Sequence, residues 1–296
     1  MRFTWGVLAY NVAVVLWGAY VRAAGAGAGC GNHWPLCNGE VVPLSPGLNT
    51  LIEFTHRATS GIDLALIALL VVWAFRAFPK RHPARLGAVL STIFLMSEAL
   101  IGAALVLLEH VAGNTSVNRA YSLSAHLVNT LTLLACLTLT AWWAAGNPPL
   151  RPRGKPAVLA AITLGSVMLL GVTGAIAALG DTLFPARSLA EGLAQDFSAS
   201  ASIFVRLRWI HPVLAFLVAL WVLRFALVNG SRLGRVVAFL LSAQLFAGMI
   251  NLLLMAPLWM QMAHLLIADA FWIALVLCCA EFVSARLALA RPISSL

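Results

Sequence analysis

The chain has 296 residues, of which 61% are hydrophobic and 10% charged, and its mean hydropathy is +0.93. Apolar runs of about twenty residues in such a chain are membrane spans, which excludes a soluble globular enzyme. The formal charge of +9 would suit a nucleic-acid partner, but its distribution assigns it to membrane topology and no nucleic acid is expected.

Eight spans are predicted, at about 3–22, 52–75, 86–108, 121–144, 157–179, 208–228, 236–255 and 259–283. With the N-terminus in the cytoplasm, Arg2, Arg76, Lys80, Arg81, Arg85, Arg151, Arg153, Lys155, Arg224, Arg232, Arg235, Arg286 and Arg291 fall on the cytoplasmic side. Arg22, Arg57, Arg119, Arg187, Arg206 and Arg208 fall on the other. Thirteen against six is the positive-inside bias, and it places both termini in the cytoplasm. The first segment lacks a charged n-region and a small-residue cleavage site, so it reads as a retained span. Nothing resembles a transit peptide, which points to a bacterial plasma membrane.

The first span ends at Tyr20-Val-Arg22, and Gly25 to Gly31 form a glycine-rich exit expected to be flexible. The loop Cys30-Gly-Asn-His-Trp-Pro-Leu-Cys37-Asn-Gly follows, on the external side where oxidation is possible. Cys30 and Cys37 suit a tight bridged loop or half of a metal site, although no second pair lies nearby. His33 in this loop reads as solvated, with a cofactor contact as the alternative. Cys136, Cys278 and Cys279 read as reduced packing residues.

Span two opens with Glu53-Phe-Thr-His56-Arg57, which puts a carboxylate and an imidazole at i, i+3 on one helix face. Ser60 and Asp63 continue that face, either as an inward proton line or as a polar stripe facing the bundle interior. Ionisable groups inside membrane helices are costly and default to a functional reading. Glu98, near the middle of span three, fits a partner on a neighbouring helix, a protonated carboxyl or a catalytic part. His82, in the cytoplasmic turn 79–85, reads as solvated. His126 lies one to two turns into span four. The segment Gly146 to Pro156 has the Pro, Gly and basic content of a linker. It divides the chain into halves 1–146 and 157–296, joined by 147–156.

Span five is rich in glycine, at Gly165, Gly171 and Gly174, which permits close helix contacts. In the loop 180–207, Leu189, Leu193 and Phe197 recur every four residues and predict an interfacial helix. Span six opens Arg206-Leu-Arg-Trp-Ile-His211-Pro. Span seven is polar only at Gln244 and Asn251, and span eight carries His264 and Asp269.

The halves read as one four-span unit used twice. Each has a long external loop between its first two spans and a histidine near the start of its second and fourth. Ala125-His126-Leu127-Val128 matches Ala263-His264-Leu265-Leu266, and His56 answers His211. The expected fold is therefore an all-α membrane protein, with eight transmembrane helices in two four-helix bundles around a pseudo-two-fold axis along the membrane normal. Four imidazoles at matched depth near the outer leaflet suit axial ligation of haem iron. Zinc fits less well, because two histidines leave its coordination incomplete. The halves differ where Glu53 precedes His56 by three residues and Arg208 precedes His211 by three. This implies that the N-terminal half reacts and the C-terminal half holds a supporting haem.

Taken together, the Cys30…Trp34-Pro-Leu-Cys37-Asn-Gly loop, Glu53-Phe-Thr-His56-Arg57 and His126, His211 and His264 resemble the haem A synthase family over essentially the whole chain. The resemblance implies an oxidoreductase that converts haem O to haem A for terminal oxidase assembly, by oxidising the ring-D methyl through an alcohol to an aldehyde. It implies that His56 and His126 flank the substrate haem O, that His211 and His264 ligate a haem B cofactor, and that Glu53 is the catalytic carboxylate. It also implies a Cys30–Cys37 disulfide. The second cysteine pair that some members carry in the later external loop is absent between Gly180 and Leu207. Arg22, Arg57, Arg119 and Arg206 are candidates to meet haem propionates. Membrane lipid, an electron acceptor and a haem O-producing farnesyltransferase are the implied partners, and a homo-oligomer is compatible with them.

Two other readings use the same histidines. A bis-histidine electron-transfer cytochrome b gives Glu53 no role and expects haem sites at both leaflets. A haem transporter or exporter expects helices broken around a central site, and the spans show no such interruptions.

Overall fold

In the computed structural model, which describes residues 1–150 and 152–289, the chain is all-helical. The helices are α1 (Arg2–Ala23), α2 (Leu48–Ala77), α3 (Pro83–Leu107), α4 (Val117–Ala144), α5 (Gly154–Leu183), α6 (Leu189–Asp196), α7 (Ile203–Leu207), α8 (Ile210–Asn229), α9 (Arg232–Leu253) and α10 (Leu258–Leu289). Eight stretches are long and apolar enough to cross a membrane: α1 to α5, α7 with α8 as Ile203–Val228, α9, and α10 up to Ser284. The protein is a multi-pass membrane protein with the expected number of spans. Arg151 and Arg291, two of the charges counted for topology, lie outside the described residues.

Long apolar runs make these helices, and local signals end them. Ser116, Ser188 and Ser231 each accept a backbone N–H three residues on, which satisfies a donor that the first helical turn leaves free. His82 does the same for Ala84 at the start of α3, with Pro83 as the first helical residue, and stacks on Phe78. It is a cap rather than a loose loop side chain. Gly230, at φ +62°, closes α8 in the left-handed conformation.

Within the first half α1 packs on α2 and α4, α2 on α3, and α3 on α4. Within the second, α5 packs on α8 and α10, α8 on α9, and α9 on α10. The halves meet where α4 touches α5 and α10 and where α1 touches α10. One apolar core runs through that junction, from Leu131, Leu133 and Leu134 to Trp272 and Leu275. It also includes the buried Cys278 and Cys279, in the packing role expected of them. Trp272 Nε1 donates to Leu131 O at 2.8 Å, which locks α10 to α4. Arg22, at the end of α1, donates to Ala178 O and Thr182 Oγ1 on α5 and to Gln261 Oε1 on α10. The ends of α1 and α5 and the start of α10 therefore share one face, here termed the loop face.

The two long loops on that face are folded. The stretch after α1 makes consecutive turns in which Ala26 and Cys30 are fully buried, not a flexible exit. A Cβ on Gly29 would collide with the Asn49 carbonyl, so glycine there lets the loop rest on the first turn of α2. In the later loop α6 forms as expected, with Leu189, Leu193 and Phe197 exposed and Phe197 stacked on Trp209.

Candidate functional site

All four histidines stand near the loop-face ends of their spans. His56 is eight residues past the start of α2, His126 nine past that of α4, His211 eight past Ile203 and His264 six past that of α10. At 1.5 Å per residue they lie about 9–14 Å along their helices. All four are half-buried. His56 and His126 lie within electrostatic reach of each other, and so do His211 and His264, so each half holds one imidazole pair.

Each ring also lies against a glycine on the preceding span. A Cβ built on Gly18 of α1 would come within 2.8 Å of His56 Cε1, and one on Gly174 of α5 within 2.9 Å of His211 Cε1. On Gly248 of α9 it would lie 3.1 Å from His264 Cε1, and on Gly102 of α3 3.9 Å from His126 Cε1. At Gly18, Gly174 and Gly248 the missing Cβ is what leaves room for the imidazole, whereas at Gly102 a Cβ would make an ordinary contact. Of the four glycines, only Gly174 stood out in the sequence, as a packing residue. The available signal was the spacing: Gly18 precedes His56 by 38 residues and Gly174 precedes His211 by 37.

The Nδ1 atoms of His56, His126 and His264 are buried without a hydrogen-bond partner, while His211 Nδ1 lies 3.1 Å from Thr173 Oγ1. Among the described residues no three His, Cys, Asp or Glu side chains converge as a metal chelate. Two imidazoles per half are too few for zinc. They suit a group that brings its own four equatorial donors and needs only axial nitrogens, which is a haem. The glycine seats and the unpartnered Nδ1 atoms of His56, His126 and His264 fit that group.

Glu53 is 3% exposed, and both of its oxygens are engaged. Oε2 accepts the Cys30 backbone N–H at 2.9 Å, and Oε1 pairs with Arg57 Nη2 at 2.5 Å. Arg57 Nη1 in turn donates to His33 O and Leu36 O. The Cys30–Cys37 disulfide closes the loop above this network. His33 itself is exposed and acts through its backbone carbonyl.

Arg208 does the corresponding work in the second half. It donates from Nε to Asp196 Oδ1 at 2.8 Å, from Nη1 to Asp181 Oδ1 at 2.9 Å and from Nη2 to Gly192 O at 3.0 Å. The residue three before the first histidine of each half thus fastens that half's long loop, with opposite charge.

Span two does not carry an unbroken polar line. Ser60 bonds back to His56 O, and Asp63, fully buried, accepts from Asn11 Nδ2 on α1, so the stripe faces the bundle interior. Asp269 is 2% exposed with Oδ2 unpartnered. Glu98, by contrast, belongs to the site: its Oε1 lies 3.4 Å from His126 Nδ1. Asn129 Nδ2 and Thr130 Oγ1 both donate to its carboxylate.

The candidate arginines separate. Arg57 is committed to Glu53 and the loop, and Arg206 is exposed. Arg119 is 2% exposed, donates only to Ala112 O and Asn114 O, and leaves Nε unpartnered. Among the described residues neither Arg119 nor Arg22 has a carboxylate within ion-pair distance.

The chain is similar to proteins of two kinds. Two Thermus thermophilus proteins named protoheme IX farnesyltransferase are 50% identical over 260 residues, covering 84% of this chain and 43% of theirs. Proteins named heme A synthase are 33% identical over 138 residues in Halalkalibacterium halodurans and 38% identical over 124 residues in Bacillus mycoides. Those matches cover 47% and 42% of this chain and 45% and 39% of the relatives. The matched stretch spans less than half the length of each of these relatives. The model of the COX15-CtaA family, described as cytochrome oxidase assembly protein, matches residues 1–276, and the chain belongs to that family.

Proposed function

We propose that the protein is a haem A synthase of the bacterial plasma membrane, in which the first half oxidises haem O and the second holds a haem B. The observation that carries this reading is the pair of imidazoles in each half, each seated on a glycine of the preceding span. The relatives named heme A synthase support the same assignment. His56 and His126 would hold the substrate haem, and His211 and His264 the cofactor haem. A matched set of contacts in the two halves supports a duplicated four-span unit, with the loop face external.

Methyl to aldehyde is a four-electron oxidation that takes up one oxygen atom, so the reading calls for an electron acceptor. The bound iron supplies the oxidising chemistry. The chain's own residues orient the ring and exclude water. Glu53 stands one helical turn from His56, and the Arg57 guanidinium and the Cys30 amide hold its two oxygens. It can take a proton from the reacting carbon, or place a water there, only by releasing one of them. Arg22 and Arg119 are the arginines best placed for propionates. Arg22 stands one turn beyond Gly18, and Arg119 stands two turns before His126 on the same face. Haem O is a farnesylated haem, so a protohaem farnesyltransferase is the natural donor. The Thermus relatives carry a segment like this chain within a longer polypeptide of that name.

The deciding experiment is extraction and chromatographic identification of the haems in protein purified from a host that supplies haem O. Haem A or its alcohol precursor alongside haem B is expected. Haem B alone, despite available haem O, overturns the synthase reading in favour of an electron-transfer cytochrome.

A further inference from the structure

Glu98 and its counterpart in the second half distinguish the two imidazole pairs. Glu98 stands four residues before Gly102 on α3, and the His126 ring lies between them. Gln244 stands four residues before Gly248 on α9, and its Nε2 lies 3.2 Å from His264 Nε2, the opposite ring nitrogen, while His264 Nδ1 has no hydrogen-bond partner. The position four before that glycine is thus a carboxylate facing Nδ1 in one half, and in the other a neutral amide that leaves Nδ1 unpartnered.

Hydrogen-bond logic fixes the polarity of the Glu98 cluster. Phe94 O can only accept, so the Asn129 atom 2.8 Å from it is the nitrogen, and Oδ1 is left to accept from Ser97 Oγ at 2.6 Å. Asn129 therefore points its NH2 at Glu98 Oε2, while Thr130 Oγ1 donates to Oε1. The Asn129 NH2 can only donate, so Glu98 Oε2 accepts, while the one Thr130 hydroxyl proton serves both Oε1 and His126 O. His126 Nδ1 lies 3.4 Å from Oε1, close but without hydrogen-bond geometry in this structure, and a small ring rotation would make it a further donor.

We propose that Glu98 is a positioning residue for the first-half haem: it accepts the Nδ1 proton of His126, fixes the tautomer that turns Nε2 to the iron, and makes His126 a stronger donor than His264. This rests on the haem reading above. A carboxylate behind a ligating imidazole raises its basicity, whereas a neutral amide does so less. A stronger axial donor favours ferric over ferrous iron and so lowers the reduction potential. Glu98 thus holds the first-half haem at a lower potential than the second-half haem.

The test is a potentiometric measurement on the purified protein with both haems bound, the first-half transition being the one lost in His126→Ala. Glu98→Gln is expected to raise that transition, Glu98→Leu to raise it further, and both to leave the second-half haem where it was. A Glu98→Leu protein that keeps both haems with neither potential moved overturns the proposal. Should Glu98→Leu release its haem, Thr130→Val carries the test. Removing one competing donor makes Glu98 a better acceptor for His126, so the potential must fall, and an unmoved value overturns the proposal. Wild-type protein that binds no haem overturns the haem reading itself, before any potential is read.

Discussion

Glu53 and Arg208 carry opposite charges at matching places, three residues before His56 and His211, and each ties the long loop of its own half to the bundle. The charge difference that marks the two halves in the sequence therefore has a structural use in both. In the first half the carboxylate receives the loop's N–H at Cys30. In the second the guanidinium donates to the loop's carbonyl at Gly192 and to Asp181 and Asp196.

Removing one side of these networks strands the other. Arg208→Met leaves Asp181 and Asp196 without their cation, and because Asp181 is 29% exposed the loss is expected near the low end for buried pairs, about 2–3 kcal/mol. Arg57→Met does the same to Glu53, which is more deeply buried. Thermal unfolding in detergent checks both, and limited proteolysis should show new cleavage at 181–207 for Arg208→Met and at 25–47 for Arg57→Met.

The glycine seats predict a ranked series. Gly18→Ala and Gly174→Ala put a methyl within 3 Å of an imidazole, Gly248→Ala is slightly looser, and at Gly102 the contact would be ordinary at 3.9 Å. Haem loss is expected to follow that order. Gly18→Ala should empty the first half and Gly174→Ala the second, while Gly102→Ala keeps both. Haem content per protein, resolved by haem type, measures it. Equal losses at all four positions would falsify the seating role.

Disulfide reduction should loosen the ceiling over Glu53. Cys30 and Cys37 are separated by seven positions, and closing so short a loop is worth about 2.5 kcal/mol of denatured-state entropy. Cys37→Ser is expected to lower the unfolding temperature and to lose sensitivity to reductant. Because the Cys30 amide is a Glu53 partner, it should also slow haem A formation while haem B content is unchanged.

Arg119 and Arg22 are expected to matter for haem retention beyond their structural bonds. Arg119→Gln removes the charge and, being shorter, gives up the bonds to Ala112 O and Asn114 O, so it is compared with Arg119→Lys, which keeps the charge. Haem affinity should fall about tenfold or more if a propionate pairs with it, since charge-assisted bonds are worth about 1.5–3 kcal/mol. Haem binding of Arg119→Gln at low and high salt decides this, with unchanged affinity counting against the assignment.

Much of this architecture is local information. Hydropathy along the chain places eight spans, because each must cross the apolar layer by itself. Four histidines at equivalent distances from their span starts, a first-loop cysteine pair and the Glu53/Arg208 contrast are all legible in one dimension. What only the tertiary structure decided is what each polar group meets across a helix interface. Helix rotation and register bring Gly18, Gly102, Gly174 and Gly248 under the imidazoles. They commit Arg57 to Glu53 and Asp63 to Asn11, and they carry Glu98 of α3 to His126 of α4. A span's hydropathy is nearly unchanged by rotating it about its axis. Rotation and register are set by how small and large side chains interlock between helices. A carboxylate in the middle of span three could therefore be recognised as costly from its sequence, but its partner could be named only once α3 and α4 were packed together.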